Sequence, residues 1–193
     1  MTFSIKTILL IAFIPLSVYQ AVIAQTKFIN ADTEATVKGT STLHDWEMNS
    51  KEGKTEAVIE LGSIPKILAL KFTLPAESLK SHHSAMDKNA YKTLKTEKYA
   101  YLTFVITSSK MTAVDSSTFN MNGLGQLEIA GVKKEIELNA VCKVGPDKSL
   151  MCTGSKQIKM SDYGLEPPSM MLGTVKTGNE ITIDFKQKLI PHP

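Results

Sequence analysis

Residues 155–185 read SKQIKMSDYGLEPPSMMLGTVKTGNEITIDF and combine strand and turn patterns. Two strand-like runs, at residues 158–160 and 180–185, flank a Ser-Asp-Tyr-Gly turn signal and a Pro-Pro pair. The second run alternates, so Ile181 and Ile183 share one face while polar residues share the other. The stretch predicts the strand with which a β-sheet closes on itself.

The same alternation recurs upstream. Residues 67–74 place four apolar side chains on one predicted face, and residues 101–107 alternate in the same way. Residues 119–130 and 132–144 are joined at Gly131 in a predicted hairpin. Counting these runs gives about eight to ten strands joined mostly by short turns, which is typical of an antiparallel barrel or sandwich.

One helix is predicted among the strands. An apolar stripe that includes Tyr91 and Leu94 repeats at helical spacing over about residues 85–95. Ser84 is predicted to cap the helix, with Asp87 as an acidic variant of the capping box. We expect this helix to cover an open end or flank of the sheet.

The first 24 residues predict a secretory signal peptide. They contain Lys6 near the start, an apolar run over residues 8–23, and small or aliphatic residues before Ala24. Pro15 and several polar residues interrupt the run, which favours a cleaved signal over a membrane anchor of about 20 apolar residues. We expect cleavage after Ala24, no membrane span in the mature chain, and one periplasmic or secreted domain over residues 25–193.

The charge of the chain indicates no nucleic-acid partner. The formal net charge is +3, and loss of Lys6 with the signal leaves one positive charge fewer. All 22 basic residues are lysine. Because recognition of phosphate and base edges favours the bidentate arginine fork, we expect the chain not to bind nucleic acid.

Cys142 and Cys152 are the only two cysteines, and a turn signal at residues 145–148 separates them. In an exported chain, such a pair predicts a disulfide that joins the two strands of a hairpin. A redox pair is the alternative, although the Cys-x-x-Cys spacing is not present.

Residue types typical of hydrolases occur without the matching geometry. Ser41, His44 and Asp45 suggest a triad, but adjacent residues on a strand point to opposite faces. No Gly-x-Ser-x-Gly nucleophile motif occurs in the sequence. Asp162 is predicted to bond within a turn that ends at Gly164 with a positive φ. We expect no catalytic residue, and therefore a protein that is not an enzyme.

Histidine and methionine allow a second hypothesis. His82 and His83, with His44 and the methionines, could bind copper in an exported metal or redox accessory protein. The methionines are dispersed rather than clustered as Met-x-x-Met, and flexible methionines also line adaptable apolar pockets. A metal site at His82 and His83 is therefore the weaker alternative.

Four motifs, taken in order, are similar to those of one family. They are KGTSTLHDW at 38–46, the helical segment and YLTF within 79–104, GQLEIAGVKKEI at 125–136, and MSDYG at 160–164 followed by EITI at 180–183. Together they resemble the YceI-like family, and the first is similar to a bacteroidete-type subgroup. The chain departs from the better-known members in having no arginine, where they carry an Arg-Asp pair before the helix.

The resemblance implies an all-β fold, an eight-stranded antiparallel lipocalin-like barrel with one short α-helix near residues 85–95. It also implies an apolar interior that binds a hydrophobic small molecule. The leading hypothesis is an exported barrel that binds, sequesters or carries an isoprenoid or fatty-acyl lipid, with no other cofactor.

Alternation and the helical stripe select candidate residues for the cavity lining. They are Trp46, Leu68, Leu70, Phe72, Tyr91, Leu94, Phe104, Ile106, Leu127, Ile129, Met171 and Ile183. Residues 165–177 are predicted to form a rim or flap at the cavity mouth. Patterning leaves open whether the interior is hollow or filled, so a solid barrel serving as a stress-related or protein-interaction module is a third hypothesis.

Overall fold

The structure is a computed structural model that describes residues 25–170 and 173–192. The strands in these ranges are β1 (Gln25–Ser41), β2 (Trp46–Ser50), β3 (Lys54–Glu60), β4 (Lys66–Pro75), β5 (Tyr101–Ala113), β6 (Thr118–Ile129), β7 (Val132–Val144), β8 (Leu150–Lys159), β9 (Ser169–Met170) and β10 (Val175–His192). The helix α1 (Ser84–Leu94) connects β4 to β5, and 3₁₀ helices span Ala76–Ser78 and Met160–Tyr163. None of the helices in the described ranges has the length and apolar character needed to cross a membrane.

The sheet closes on itself because β10 pairs with β1. The two strands run antiparallel from the pair Lys27 and His192 to the pair Ser41 and Thr177. The other edge of β1 pairs with β3 and then with β2, so β2 and β3 act as one interrupted strand. The antiparallel order β1-β3-β4-β5-β6-β7-β8-β10 returns to β1. The predicted eight-stranded antiparallel lipocalin-like barrel is confirmed.

The two ends of the barrel carry different connections. The turn end carries the β3–β4, β5–β6 and β7–β8 turns, with the start of β1 and the end of β10. The helix end carries the β1–β2 loop, α1, the β6–β7 turn and the connection from β8 to β10. Different structures therefore close the two ends of the interior.

Side chains fill the interior from the turn end to the middle of the barrel. The buried residues of this filled cluster are Phe28, Ala57, Ile59, Ile67, Phe104, Ile106, Met111, Phe119, Met121, Ala140, Cys142, Leu150, Cys152 and Leu189. The Phe104 ring lies against Gly125, and the Phe185 ring lies against Gly154. A side chain at either glycine would collide with these rings, so the glycines allow aromatic rings to fill the barrel.

The strand β4 departs from the predicted alternation. Val58 pairs with Ala69 while Ile59 pairs with Ile67, which makes Leu68 the extra residue of a β-bulge. A bulge exchanges the inward and outward faces of the strand beyond it. Ile67 is consequently buried, whereas Leu68 is 44% exposed on the outer surface. The prediction that Leu68 faces the interior is therefore wrong.

The helix α1 begins one residue earlier than predicted and is not capped as predicted. Its N-cap residue is His83, which makes no capping bond, and Ser84 is already helical. The predicted Ser84 cap is therefore wrong. The Asp87 carboxylate instead accepts hydrogen bonds from the amide and hydroxyl of Ser81, at 2.8 and 2.6 Å. The helix ends at Leu94, and its C-cap residue, Lys95, adopts a left-handed conformation.

Cys142 and Cys152 form the predicted disulfide. They are directly paired residues on β7 and β8, and both are buried in the filled cluster. The bond joins positions 10 residues apart in the sequence and fixes the β7–β8 hairpin from inside the barrel.

Replacing both cysteines by alanine is expected to lower the free energy of unfolding by roughly 2 to 3 kcal/mol, because the unfolded chain is no longer constrained by a short closed loop. Urea unfolding of the oxidised wild type and the C142A/C152A variant measures the difference. Reduced wild-type protein keeps both side chains and controls for the small cavities that alanine leaves. Equal unfolding midpoints for the oxidised and reduced wild type would contradict a stabilising disulfide.

Candidate functional site

A cavity of about 400 Å³ lies at the helix end of the barrel, beneath α1. Small-molecule sites typically have volumes of about 300 to 1,000 Å³. Most of the lining side chains are apolar and come from the strands, from α1 and from the connection between β8 and β10. They are Val37, Ser41, Leu43, His44, Trp46, Met48, Leu79, His83, Ala85, Met86, Asn89, Ala90, Thr93, Leu94, Leu102, Ile129, Ile158, Met160, Tyr163, Leu165, Pro168, Val175, Thr177, Ile181 and Ile183.

The strand wall of the cavity follows from register and alternation. Val37 on β1 is paired with Ile183 on β10, and Ile181 on β10 is paired with Ile158 on β8. Because the three strands are neighbours, these inward-facing side chains form one continuous apolar patch. The alternation predicted for β10 thus places its isoleucines at the cavity.

A hydrogen bond from the indole nitrogen holds Trp46 in the cavity wall. The indole Nε1 donates a hydrogen bond to the Thr40 carbonyl oxygen at 3.0 Å, and the ring lies against Gly39. Because Gly39 has no side chain, the indole approaches the β1 backbone closely. The nitrogen is therefore satisfied while the ring contributes to the apolar lining.

One face of α1 covers the cavity. The residues on this face recur at spacings of three and four, as one face of a helix requires. They are Ala85, Met86, Asn89, Ala90, Thr93 and Leu94. Lys88 and Lys92 are exposed outside this face, and no residue of α1 is fully buried. The helix therefore covers an unfilled space, while Met86, Ala90 and Leu94 also pack against a small buried cluster formed by Ala35, Met48, Leu74 and Leu79.

Hydrogen bonds tie α1 to the segment that precedes it. The Tyr91 hydroxyl lies 2.9 Å from the carbonyl oxygens of Glu77 and Leu79. It also accepts a hydrogen bond from Lys80 Nζ at 2.6 Å, which raises the pKa of Lys80. Tyr91 thus holds the helix in place instead of lining the cavity as predicted.

The stability of the segment at the start of α1 depends on pH through the carboxyl group of Asp87. Hydrogen bonds from Ser81 hold the pKa of Asp87 below its ordinary value of 3.8. A lowered pKa stabilises the fold at pH values above the unfolded pKa, and this contribution is lost as the pH falls through the folded pKa. We expect amide protection factors in residues 81–87 to fall below pH 3.8, and Asp87→Asn to lower them at neutral pH. Wild-type protection factors in D87N would contradict this role.

Exposed residues surround the mouth of the cavity, among them Leu43, His44 and His83. The Ser41 hydroxyl accepts hydrogen bonds from the amides of Leu43 and His44 at 3.2 and 3.1 Å and donates to the His44 carbonyl oxygen at 2.7 Å. His44 Nδ1 lies 2.7 Å from the Asp45 carbonyl oxygen. The Ser41 hydroxyl therefore stabilises a turn rather than bonding to an imidazole base.

The histidines and cysteines are distributed without a shared centre. His82 has a φ of 64° and is exposed, whereas His83 lines the cavity mouth. In residues 25–170 and 173–192, no group of three or more histidine, cysteine, aspartate or glutamate side chains is placed to hold a metal ion. Cys142 and Cys152 are bonded to each other. The disulfide therefore accounts for both cysteines of the redox alternative.

Tyr163 contributes a phenol to the buried part of the cavity wall. Its side chain lines the cavity and is only 2% exposed. Burial, with a smaller contribution from the negative charge of Asp162, raises the pKa of Tyr163 to about 12. The hydroxyl therefore stays protonated throughout the physiological pH range.

The predicted lining residues fall into several groups. The residues that line the cavity are Trp46, Leu94, Ile129 and Ile183. The residues that belong to the filled cluster or pack against it are Leu70, Phe72, Phe104, Ile106 and Leu127. Tyr91 anchors α1, Leu68 lies on the outer surface, and Met171 lies outside the described residues.

Sequence reasoning missed most of the buried wall. Ile181 shares a face with Ile183, so the alternation already contained the signal for it. Met160 alternates with Ile158 in the predicted strand-like run, so its signal was also present. Tyr163 carried no such signal, because a turn was predicted at residues 161–164 and the structure instead forms a 3₁₀ helix with both side chains buried. The positive φ predicted for Gly164 is confirmed at 64°.

A closed eight-stranded antiparallel barrel with a helix over an apolar cavity defines a lipocalin-like class of protein. Residues 21–189 match the model of the family described as the YceI-like domain, and the chain belongs to this family. No match was found among curated proteins.

Solved structures share the fold. A polyisoprenoid binding domain from Saccharophagus degradans has a TM-score of 0.65 at 12% identity, covering 88% of this chain and 100% of that chain. BcnA from Burkholderia cenocepacia has a TM-score of 0.63 at 13% identity, covering 81% and 95%. A YCEI protein from Campylobacter jejuni has a TM-score of 0.52 at 21% identity, covering 72% and 81%.

Proposed function

We propose that the chain is an exported binding protein, rather than an enzyme, that holds an isoprenoid or other long-chain lipid in the cavity beneath α1. The cavity itself carries the proposal, because an apolar space of about 400 Å³ remains open in a barrel whose other part is packed. Unfilled apolar space forfeits packing contacts that a hydrocarbon ligand would restore.

Burial of hydrocarbon supplies enough free energy for binding. Each methylene transferred from water contributes about 0.8 kcal/mol, so burying about ten of them contributes about 8 kcal/mol. That free energy corresponds to a Kd of about 1 μM before the costs of association are subtracted. A lipid therefore needs no ion pair or metal to bind.

The filled cluster limits how far a chain can extend into the barrel. Phe104 and its neighbours occupy the interior beyond the cavity, so a ligand too long for the cavity extends towards the mouth. Leu43 lines the mouth and is 69% exposed, which provides an apolar contact for the emerging part of the chain.

Two further findings support the proposal. The chain belongs to the YceI-like family, and a structural relative from Saccharophagus degradans is described as a polyisoprenoid binding domain.

The proposed periplasmic or secreted location rests on the signal peptide predicted from the first 24 residues, which lie outside the described part of the chain.

Organic extraction of the protein purified from its native compartment, followed by mass spectrometry, tests the proposal. We expect about one isoprenoid or other long-chain lipid per protein molecule. An unrelated exported protein purified by the same steps is the control for lipid carried over from the membrane. Lipid no more abundant than in that control, in protein that also fails to take up added isoprenoid, would contradict the proposed function.

A further inference from the structure

The hydroxyl group of Tyr163 is buried without a hydrogen-bond partner. Among the described residues, Thr33 and Tyr163 each have a buried hydroxyl that makes no hydrogen bond. Only Tyr163 of these two lines the cavity. Buried polar groups are almost always satisfied in folded proteins, so an unpaired phenol in a cavity wall calls for a partner that the described residues do not supply.

The position of Tyr163 sets it apart from the other polar groups at the cavity. The other lining side chains that are fully buried are aliphatic or methionine. Polar lining residues such as Asn89, Thr93 and His83 lie on α1 or at the mouth and are partly or fully exposed. Tyr163 is therefore the hydrogen-bond donor that the described part of the buried wall offers to a ligand.

A water molecule is a poor partner for this hydroxyl. Buried waters are held by about two to four hydrogen bonds to polar groups. The apolar cluster that contains Tyr163 consists of residues such as Ile129, Ile158 and Leu165, whose side chains cannot supply the remaining bonds. A ligand atom that is already held in the cavity by its hydrocarbon chain does not need them.

We propose that the Tyr163 hydroxyl donates a hydrogen bond to an uncharged carbonyl oxygen of the bound lipid, as found in a ketone, quinone or ester. The inference rests on the proposed function and specifies the ligand class. A carboxylate or phosphate would be buried here beside apolar side chains, which is unfavourable without a paired cation. The carbonyl end of the ligand therefore lies inside the barrel, and the chain extends towards the mouth.

Contact between a ligand and the hydroxyl requires side chains of the cavity wall to move. The hydroxyl oxygen is shielded from solvent in the ligand-free protein. Met160 lines the cavity in the same 3₁₀ helix as Tyr163. An unbranched methionine side chain has three rotatable bonds and fills irregular spaces, so it can move aside for a carbonyl group.

A matched pair of ligands tests the inference: a long-chain methyl ketone and the alkane of the same chain length. Displacement of a fluorescent apolar probe measures both affinities for wild type, Tyr163→Phe and Tyr101→Phe. Tyr101 is 57% exposed and does not line the cavity, which makes it the control. We expect Tyr163→Phe to weaken ketone binding about tenfold, in line with one hydrogen bond, and to leave alkane binding unchanged.

The possible results separate this inference from the proposed function. Ketone affinity equal in wild type and Y163F, with both ligands still bound, would overturn the hydrogen bond and leave lipid binding intact. Failure of wild-type protein to bind either ligand would overturn both.

The melting temperature of Y163F is a second measurement. Phenylalanine keeps the ring and removes an unpaired hydroxyl, so the melting temperature of Y163F should equal or exceed that of wild type. A lower value would show that the hydroxyl has a structural partner and would contradict the inference.

Discussion

Ala90→Trp is expected to reduce lipid binding at least tenfold while leaving the barrel folded. Ala90 lies on the cavity face of α1, so an indole at this position would extend into the space of about 400 Å³ and displace the ligand. Tryptophan costs at most about 0.7 kcal/mol of helix propensity relative to alanine. Ala90 is only partly buried where it packs against the cluster of Ala35, Met48, Leu74 and Leu79, so we expect the fold to tolerate the substitution.

Lys92→Trp is the matched control for this variant. Lys92 lies on the same helix, is exposed, and is absent from the cavity lining. The amount of lipid recovered per protein molecule, together with titration of added isoprenoid, measures binding in both variants. If A90W and K92W retained equal amounts of lipid, the ligand would not occupy the space beneath α1.

Phe104→Ala is expected to have the largest effect on stability and also to change ligand preference. Truncating a buried phenylalanine typically costs about 3 to 5 kcal/mol. Phe104 is paired with Leu127, whose side chain packs against both the filled cluster and the apolar cluster beside the cavity. Removing the ring next to this boundary should lengthen the cavity towards the turn end, so the preferred ligand should become several carbons longer.

Phe104→Leu separates the two expected effects, because leucine restores much of the bulk at this position. Urea unfolding measures stability, and a series of methyl ketones of increasing length measures ligand preference. We expect F104L to be destabilised less than F104A and to keep the wild-type length optimum. An unchanged optimum in F104A, with the protein still folded, would show that Phe104 does not limit the length of the ligand.

The strand that closes the barrel was predictable because its alternation is a local pattern. Ile181 and Ile183 alternate with polar residues, and β10 closes the sheet as expected. The disulfide was predictable for the same kind of reason, since Cys142 and Cys152 flank a short turn. The disulfide lies within one hairpin, whereas closure joins β10 to β1, which is distant in sequence, so only the alternation of β10 was a local signal.

The outward position of Leu68 was not predictable from alternation. The sequence LALKFTL alternates without interruption, yet the pairing of β4 with β3 includes a bulge. A bulge is set by the register between two strands, and one extra residue exchanges the faces. A single-strand pattern therefore cannot place such a residue.

The sequence pattern also did not predict which part of the interior is filled and which part is a cavity. Inward-facing residues alternate in the same way in both parts. The difference arises because rings such as Phe104 lie against glycines of neighbouring strands, whereas α1 covers the helix end without burying any residue fully. Such packing depends on contacts between strands, which the pattern of a single strand does not contain, and this also explains why Tyr163 was assigned to a turn rather than to the wall.

A crystal structure of the protein purified from its native compartment without detergent will show whether a lipid occupies the cavity. We expect continuous density for an apolar chain beneath α1, in contact with Trp46 and Ile181, with an oxygen atom of the ligand within hydrogen-bonding distance of the Tyr163 hydroxyl. A helix end closed by the protein's own side chains, or a lipid bound only on the outer surface of the barrel, would contradict lipid binding in this cavity.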